Sequence, residues 1–295
     1  MGTREGVPRL LDLFAARGIR AAFFFTLGPD RSGVAIRRAF TRRGFVRKMV
    51  RSRGLALYGW RTALSGTLLP ARPIGRRCEG AMRRVAAEGH ETGVHGWDHV
   101  DWHDRLPRMS RAEVRQAVDR AHAEFARIFG VAAPCAAAPG WTVSDASLEI
   151  QDERRLLYVS DTRGGAPFYP AAAGRALHTL EVPTTLPTLD ETLAWPTLRS
   201  DDAQRRFFRG APRGSEVLTI HAEVEGGGKR ALFAAILDDW IADGVTFPLL
   251  SERAREAAGA ASPPPVRPVA AVRLPGRGGT VATGWPELTA EHATA

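Results

Sequence analysis

"HETGVHGWDHVDWH", residues 90–103, places a short strand-like run directly before a histidine. "ETGV" (91–94) reads as a strand opening after Gly89 and handing over to a turn at Gly96. His95 stands at its C-terminal end, where α/β barrels and open α/β sheets keep their chemistry. His99 and His103 follow at steps of four, a spacing that turns side chains to one side of a helical turn or tight loop. Neutral imidazoles are good ligands for zinc and related divalent ions. The plainer alternative is three core or surface histidines, and the spacing alone does not separate the two.

Outward from this stretch, strands and helices alternate. Pro8 suits a helix start and Gly18 its end, with Val7, Leu10, Leu11 and Phe14 on one face. "IRAAFFF" (19–25) is short enough for a buried strand. A short helix around Met82 and Val85 closes near Gly89. Ser110 and Glu113 form a capping box, and Val114, Val118, Ala121, Phe125 and Ile128 keep helical period up to Gly130. "VAAPCAAA" (131–138), "LLYVS" (156–160), "LHTLEV" (177–182), "EVLTI" (216–220) and "VTFPLL" (245–250) read as further strands, with a helix near 229–243. The alternation implies a mostly parallel sheet, open or closed into a barrel. From residue 253 to 295 the chain is rich in Ala, Pro and Gly and is expected to be a disordered tail. Residues 1–252 read as one domain.

The net charge of +9 is local. Residues 31–77 hold 13 Lys/Arg and no acid, which leaves 28 basic against 32 acidic groups elsewhere. "IRRAFTRRGFVRKMVRSRG" (36–54) interleaves apolar residues with arginines, the pattern of an amphipathic helix on an anionic membrane surface. Each near-surface cation is worth about 1 kcal/mol there. No recognition motif supports nucleic acid. Two cysteines exclude a disulfide framework of any size, no apolar run has spanning length, and the N-terminus lacks a signal pattern. These features read as a soluble or peripheral cytoplasmic protein.

Two more polar groups close predicted strands: Asp161 after "LLYVS" and His221 after "EVLTI". Singly, Asp161 is a turn former and His221 a satisfied half-buried histidine. Together with His95 they would converge on one mouth.

"HGWDH" (95–99), "SDTRG" (160–164) and "LTIHAEVEG" (218–226) resemble motifs of the polysaccharide deacetylase (NodB-homology) family. Further blocks, "GTREGVPRLLDLF" (2–14), "ALYGW" (56–60), "AAPGW" (137–141) and "VPTTLPTLDE" (182–191), are similar to its deformylase branch, which acts on undecaprenyl-phosphate-linked formamido sugars. The likeness runs over residues 2–252. It implies a distorted (β/α) barrel and metal-dependent amide hydrolysis. His95 and His99 would bind the metal. His221 would protonate the leaving amine, and Asp161 would orient and tune it. His103 would stand outside the ligand set, with Asp98 bonded locally. Zinc is the expected ion, with manganese, cobalt or nickel as alternatives. Arg163, Glu223 and Trp141 would touch substrate. The family's first motif, an opening strand ending in two aspartates, is expected to stand before Met1, so the barrel would lack its first strand. Two other readings follow: a deacetylase for another N-acyl sugar, and a lipid-sugar binding homologue without turnover.

Overall fold

A computed structural model describes residues 2–31, 73–212 and 214–287. The basic stretch 36–54 and the block 56–60 lie outside them. Helix α1 (Val7–Ala15) buries Val7, Leu10, Leu11, Leu13 and Phe14, the face its apolar spacing marks. Just before it, Gly6 makes a close approach that no side chain would permit: a Cβ there would stand 1.9 Å from the Ala222 carbonyl oxygen. That contact seats the chain start against the loop carrying His221.

Strand β1 (Ala22–Phe25) pairs in parallel with β2 (Glu91–Val94) over four residues, from Ala22↔Glu91 to Phe25↔Val94. Between them α2 (Glu79–Ala87) makes the crossover, burying Met82 and Val85. After β2 come α3 (His99–Arg105) and α4 (Arg111–Phe129). Ser110 accepts from the Glu113 N–H, Glu113 accepts in return from the Ser110 N–H, and Gly130 ends the helix with a φ of 75°. Strand β3 (Cys135–Ala136), α5 (Asp145–Asp152) and β4 (Tyr158–Val159) complete a parallel sheet in the order β1-β2-β3-β4. The ladder then continues without formal strands. Val159 exchanges bonds with Leu180 and Val182 at 2.9 and 2.8 Å, and the Thr185 and Leu186 N–H groups donate to Val217 at 3.0 and 3.1 Å. The core lies between this curved sheet and α1, α2, α4 and α8 (Arg230–Ala242).

The expected α/β architecture is therefore present, with three differences. Strand β3 is two residues, not eight, because Pro134 brings no N–H and Pro139 opens a helical turn. Residues 177–182, 216–220 and 245–249 form no strand, the first making only isolated bridges at Glu181; among the described residues, Val217 is bonded only to the 185–186 side, and β1 is left at the sheet edge. The segment expected to be a disordered tail is folded as far as Glu287. Here β5 (Tyr169–Ala172) pairs with β6 (Val266–Pro268), and β7 (Ala270–Val272) forms a hairpin with β8 (Val281–Thr283). Helices α6 (Leu189–Thr192), α7 (Asp201–Arg209) and α9 (Leu250–Ala258) finish the layer. Composition misled at the end of the chain because β8 gains its burial from a distant partner surface, where Phe168 packs against Gly284.

Candidate active site

His95 is fixed by its strand. Its N–H donates to the Phe25 carbonyl at 2.8 Å, and its Nδ1 lies 2.8 Å from the Ala137 carbonyl oxygen. A carbonyl only accepts, so Nδ1 carries the proton and Nε2 keeps its lone pair. His99 opens α3 behind the cap Asp98, whose carboxylate accepts from the Asp101 N–H at 3.0 Å. The two imidazole rings are 5.2 Å apart. Burial lowers His95 to a pKa of about 4, and His99, on the exposed side of the pair, is lowered by loss of water around its ring and by the His95 and His221 charges. Both are neutral at physiological pH, the state a metal requires. They fit half of a divalent site; among the described residues no third His, Cys, Asp or Glu joins them. His103 is half-exposed beside Asp104.

His221 faces the same mouth. Its Nδ1 lies 3.0 Å from Asp190 Oδ1. Burial opposes its charge, but the Asp190 hydrogen bond and charge, helped by Glu223 and Glu225, raise its pKa to about 9. Asp190 in turn is held well below the usual carboxylate range. A neutral pair beside a protonated imidazole can hold an electrophilic ion on one side of an amide and deliver a proton to its nitrogen on the other.

Asp161 was expected to be the partner of His221, and it is not. It is fully buried; its Oδ2 accepts from Gln151 Nε2 at 2.9 Å, and its backbone N–H donates to Glu181 Oε1 at 2.8 Å. Leaving the strand end, its side chain turns toward α5 instead of His221. Burial raises the Asp161 pKa, and burial plus the Asp161 charge pushes Glu181 well up. Such a pair avoids carrying two charges.

Arg163 and Trp141 also differ from expectation. Arg163 is buried, donates twice to Glu191 at 2.8 and 3.0 Å and once to the Leu186 carbonyl at 3.0 Å. The guanidiniums of Arg163 and Arg277, which share Glu191 Oε1, sit 4.7 and 4.5 Å from the Trp141 ring centroid. Buried and in contact with both cations, the ring supports the mouth. Glu223 stands two residues beyond His221 and adds to its charge stabilisation. Asp190, Glu191 and Arg277 escaped sequence reading. The Thr188 to Glu191 capping box was a legible helix start, but nothing local marks its two acids as partners of His221 and Arg163. Arg277 sits in "PGRGG", a glycine-rich turn with no periodic signal.

A parallel α/β sheet with paired histidines at one strand end and a carboxylate-held histidine opposite defines a class of amide hydrolase. Residues 1–159 match the model of the polysaccharide deacetylase family, and the chain belongs to that family, whose members hydrolyse amide bonds. A relative from Shewanella sediminis (strain HAW-EB3) named "Probable 4-deoxy-4-formamido-L-arabinose-phosphoundecaprenol deformylase ArnD" is 38% identical over 226 residues, 76% of this chain and 72% of that one. A relative of the same name from Wigglesworthia glossinidia brevipalpis is 30% identical over 249 residues, 84% and 86% of the two chains. Among solved structures, a "probable Polysaccharide deacetylase" from Pseudomonas aeruginosa PAO1 superposes with a TM-score of 0.57 at 18% identity, covering 87% of this chain and 74% of that one. Puue allantoinase superposes at 0.58 and 19%, covering 88% and 74%. These two share the fold.

Proposed function

We propose that the chain is a metal-dependent deformylase for undecaprenyl-phosphate-linked 4-deoxy-4-formamido-L-arabinose, releasing formate and the free amino sugar used in lipid A modification and polymyxin resistance. The observation that carries this reading is the pairing of His95 and His99, rings 5.2 Å apart with His95 Nδ1 on the Ala137 carbonyl, with a His221 held by Asp190 at 3.0 Å. The relatives' names supply the substrate. His95 and His99 would hold the ion, zinc or else manganese, cobalt or nickel, which when bound polarises the formyl oxygen and activates water. His221 gives its proton to the departing nitrogen, and Asp190 keeps that proton in place until then. Substrate and protein would meet at the cytoplasmic face of the inner membrane, docked through the basic stretch 36–54. No helix among the described residues is long and apolar enough to cross a membrane.

The test is formate release from the lipid-linked substrate with each metal added in turn. Metal-dependent formate that disappears in His99→Ala and His221→Ala supports the reading; formate that persists in His99→Ala sinks it. Binding of the lipid-linked sugar without turnover is the second reading, favoured because no third ligand joins the histidine pair among the described residues. Substrate binding with no formate under any metal would select it. Docking is checked separately: anionic liposomes should retain the chain and release a variant whose arginines between 37 and 53 are neutralised.

A further inference from the structure

The turn of the C-terminal hairpin, "LPGRGG" (274–279), sits on the mouth of the site. Trp195 Nε1 donates to the Pro275 carbonyl at 3.5 Å. Gly276, with a φ of +81°, packs so closely that a Cβ would stand 2.7 Å from the Glu191 carbonyl oxygen. Arg277 Nη1 donates to Glu191 Oε1 at 3.3 Å, and its guanidinium carbon sits 4.5 Å from the Trp141 ring centroid. Behind the turn, the Ala282 carbonyl accepts from the Arg163 N–H at 2.8 Å.

The two arginines on Trp141 are not equivalent. Arg163 spends both terminal nitrogens on Glu191 and Leu186, and its side chain is 6% exposed. Arg277 makes one longer bond to the same carboxylate and is 18% exposed. Its Nη2 lies 3.7 Å from where a Cβ on Gly140 would stand, and its charge is felt at both His99 and Asp190. A guanidinium held over an indole by a carboxylate, beside a catalytic mouth, is placed for a forked hold on a phosphate oxygen pair. The substrate class carries its formamide at one end of a sugar ring and a phosphodiester at the other. A site that places the formyl group at the histidine pair needs an anion holder one sugar away.

We infer that Arg277 grips the phosphodiester of the lipid-linked sugar, making the C-terminal hairpin the anion subsite of the site. This rests on the substrate reading above. Glu191 keeps two bonds to Arg163 when Arg277 is changed, so Arg277→Gln leaves no buried carboxylate alone and should fold.

The experiment uses the full chain with zinc, and a farnesyl phosphodiester of the formamido sugar against its phosphate-free methyl glycoside. Arg277→Gln should weaken the phosphodiester probe and raise its KM roughly tenfold to hundredfold, the size of a charge-assisted bond. The methyl glycoside should lose far less than the phosphodiester probe, and Arg277→Lys should recover part of the loss. Inorganic phosphate should compete in the wild type only. Equal loss on both probes, or loss on neither, overturns the inference. Phosphodiester binding that depends on Arg277 without any formate would leave the subsite standing and reject the deformylase reading. Formate release indifferent to Arg277 would do the reverse. Retention on anionic vesicles should be equal in wild type and Arg277→Gln; loss there with unchanged probe affinity would assign Arg277 to bilayer headgroups and overturn the proposal.

Discussion

At the scale of the residue, the His221–Asp190 contact sets the pH range of the proposed chemistry. With a pKa of about 9, His221 is a proton donor at neutral pH and loses that proton only as pH rises through about 9. Asp190→Asn removes the strongest partner, so burial dominates and the pKa falls below the ordinary 6.5. The alkaline limb of formate release should then move from about 9 to below neutrality, and NMR titration of His221 should follow it. A limb that stays near 9 would show that Asp190 does not govern His221. The same linkage carries stability: the raised folded-state pKa contributes fully below about 6.5 and is lost as pH climbs through about 9. A second residue carries a buried charge. Glu191→Gln leaves Arg163 without its carboxylate in the interior and should cost roughly 3–5 kcal/mol in urea unfolding. His95 and His221 were legible because each closes a recognisable run, and His99 because it stands four residues beyond His95. Asp190 was not, because it meets His221 across 31 positions and no local pattern announces the contact.

Helices and strands differ in how much of themselves they reveal. Helix α4 announces both its ends, since caps and apolar period are local properties of the chain. Ser110→Ala removes the hydroxyl that accepts from the Glu113 N–H, leaves the backbone bond to Glu113 in place, and should lower stability by about 1 kcal/mol, read from the shift in denaturation midpoint. Strands depend on neighbours. "EVLTI" has the composition of a strand, yet among the described residues it finds partners on one side through Val217 and forms none. "VAAPCAAA" is cut to two residues by its flanking prolines. The hairpin turn is an element whose position hangs on one residue. Gly276→Ala would drive a Cβ into Glu191 and Trp195 at a positive φ, costing roughly 1–3 kcal/mol. It should reproduce the affinity loss of Arg277→Gln without touching a charge; unchanged affinity would detach the turn from the site.

For the molecule as a whole, the largest revision concerns residues 253–287. A disordered tail could be removed at no cost. The folded segment pairs β6 with β5, supplies the acceptor for the Arg163 N–H and covers Phe168 with Gly284. Deleting everything after Ala260 should therefore lower the melting temperature and expose apolar surface to dye binding, whereas an unchanged melting curve would restore the tail reading. The sequence by itself determined the α/β class, the histidine pair that follows β2, His221 as a candidate and the family. Those features are written in runs and spacings of a few residues, where backbone geometry is local. Only the tertiary structure decided that Asp190 and not Asp161 holds His221, that Arg163 is spent on Glu191, and that Arg277 reaches the mouth. These are contacts between residues 28 to 86 positions apart, and what fixes them is the packing of one surface on another.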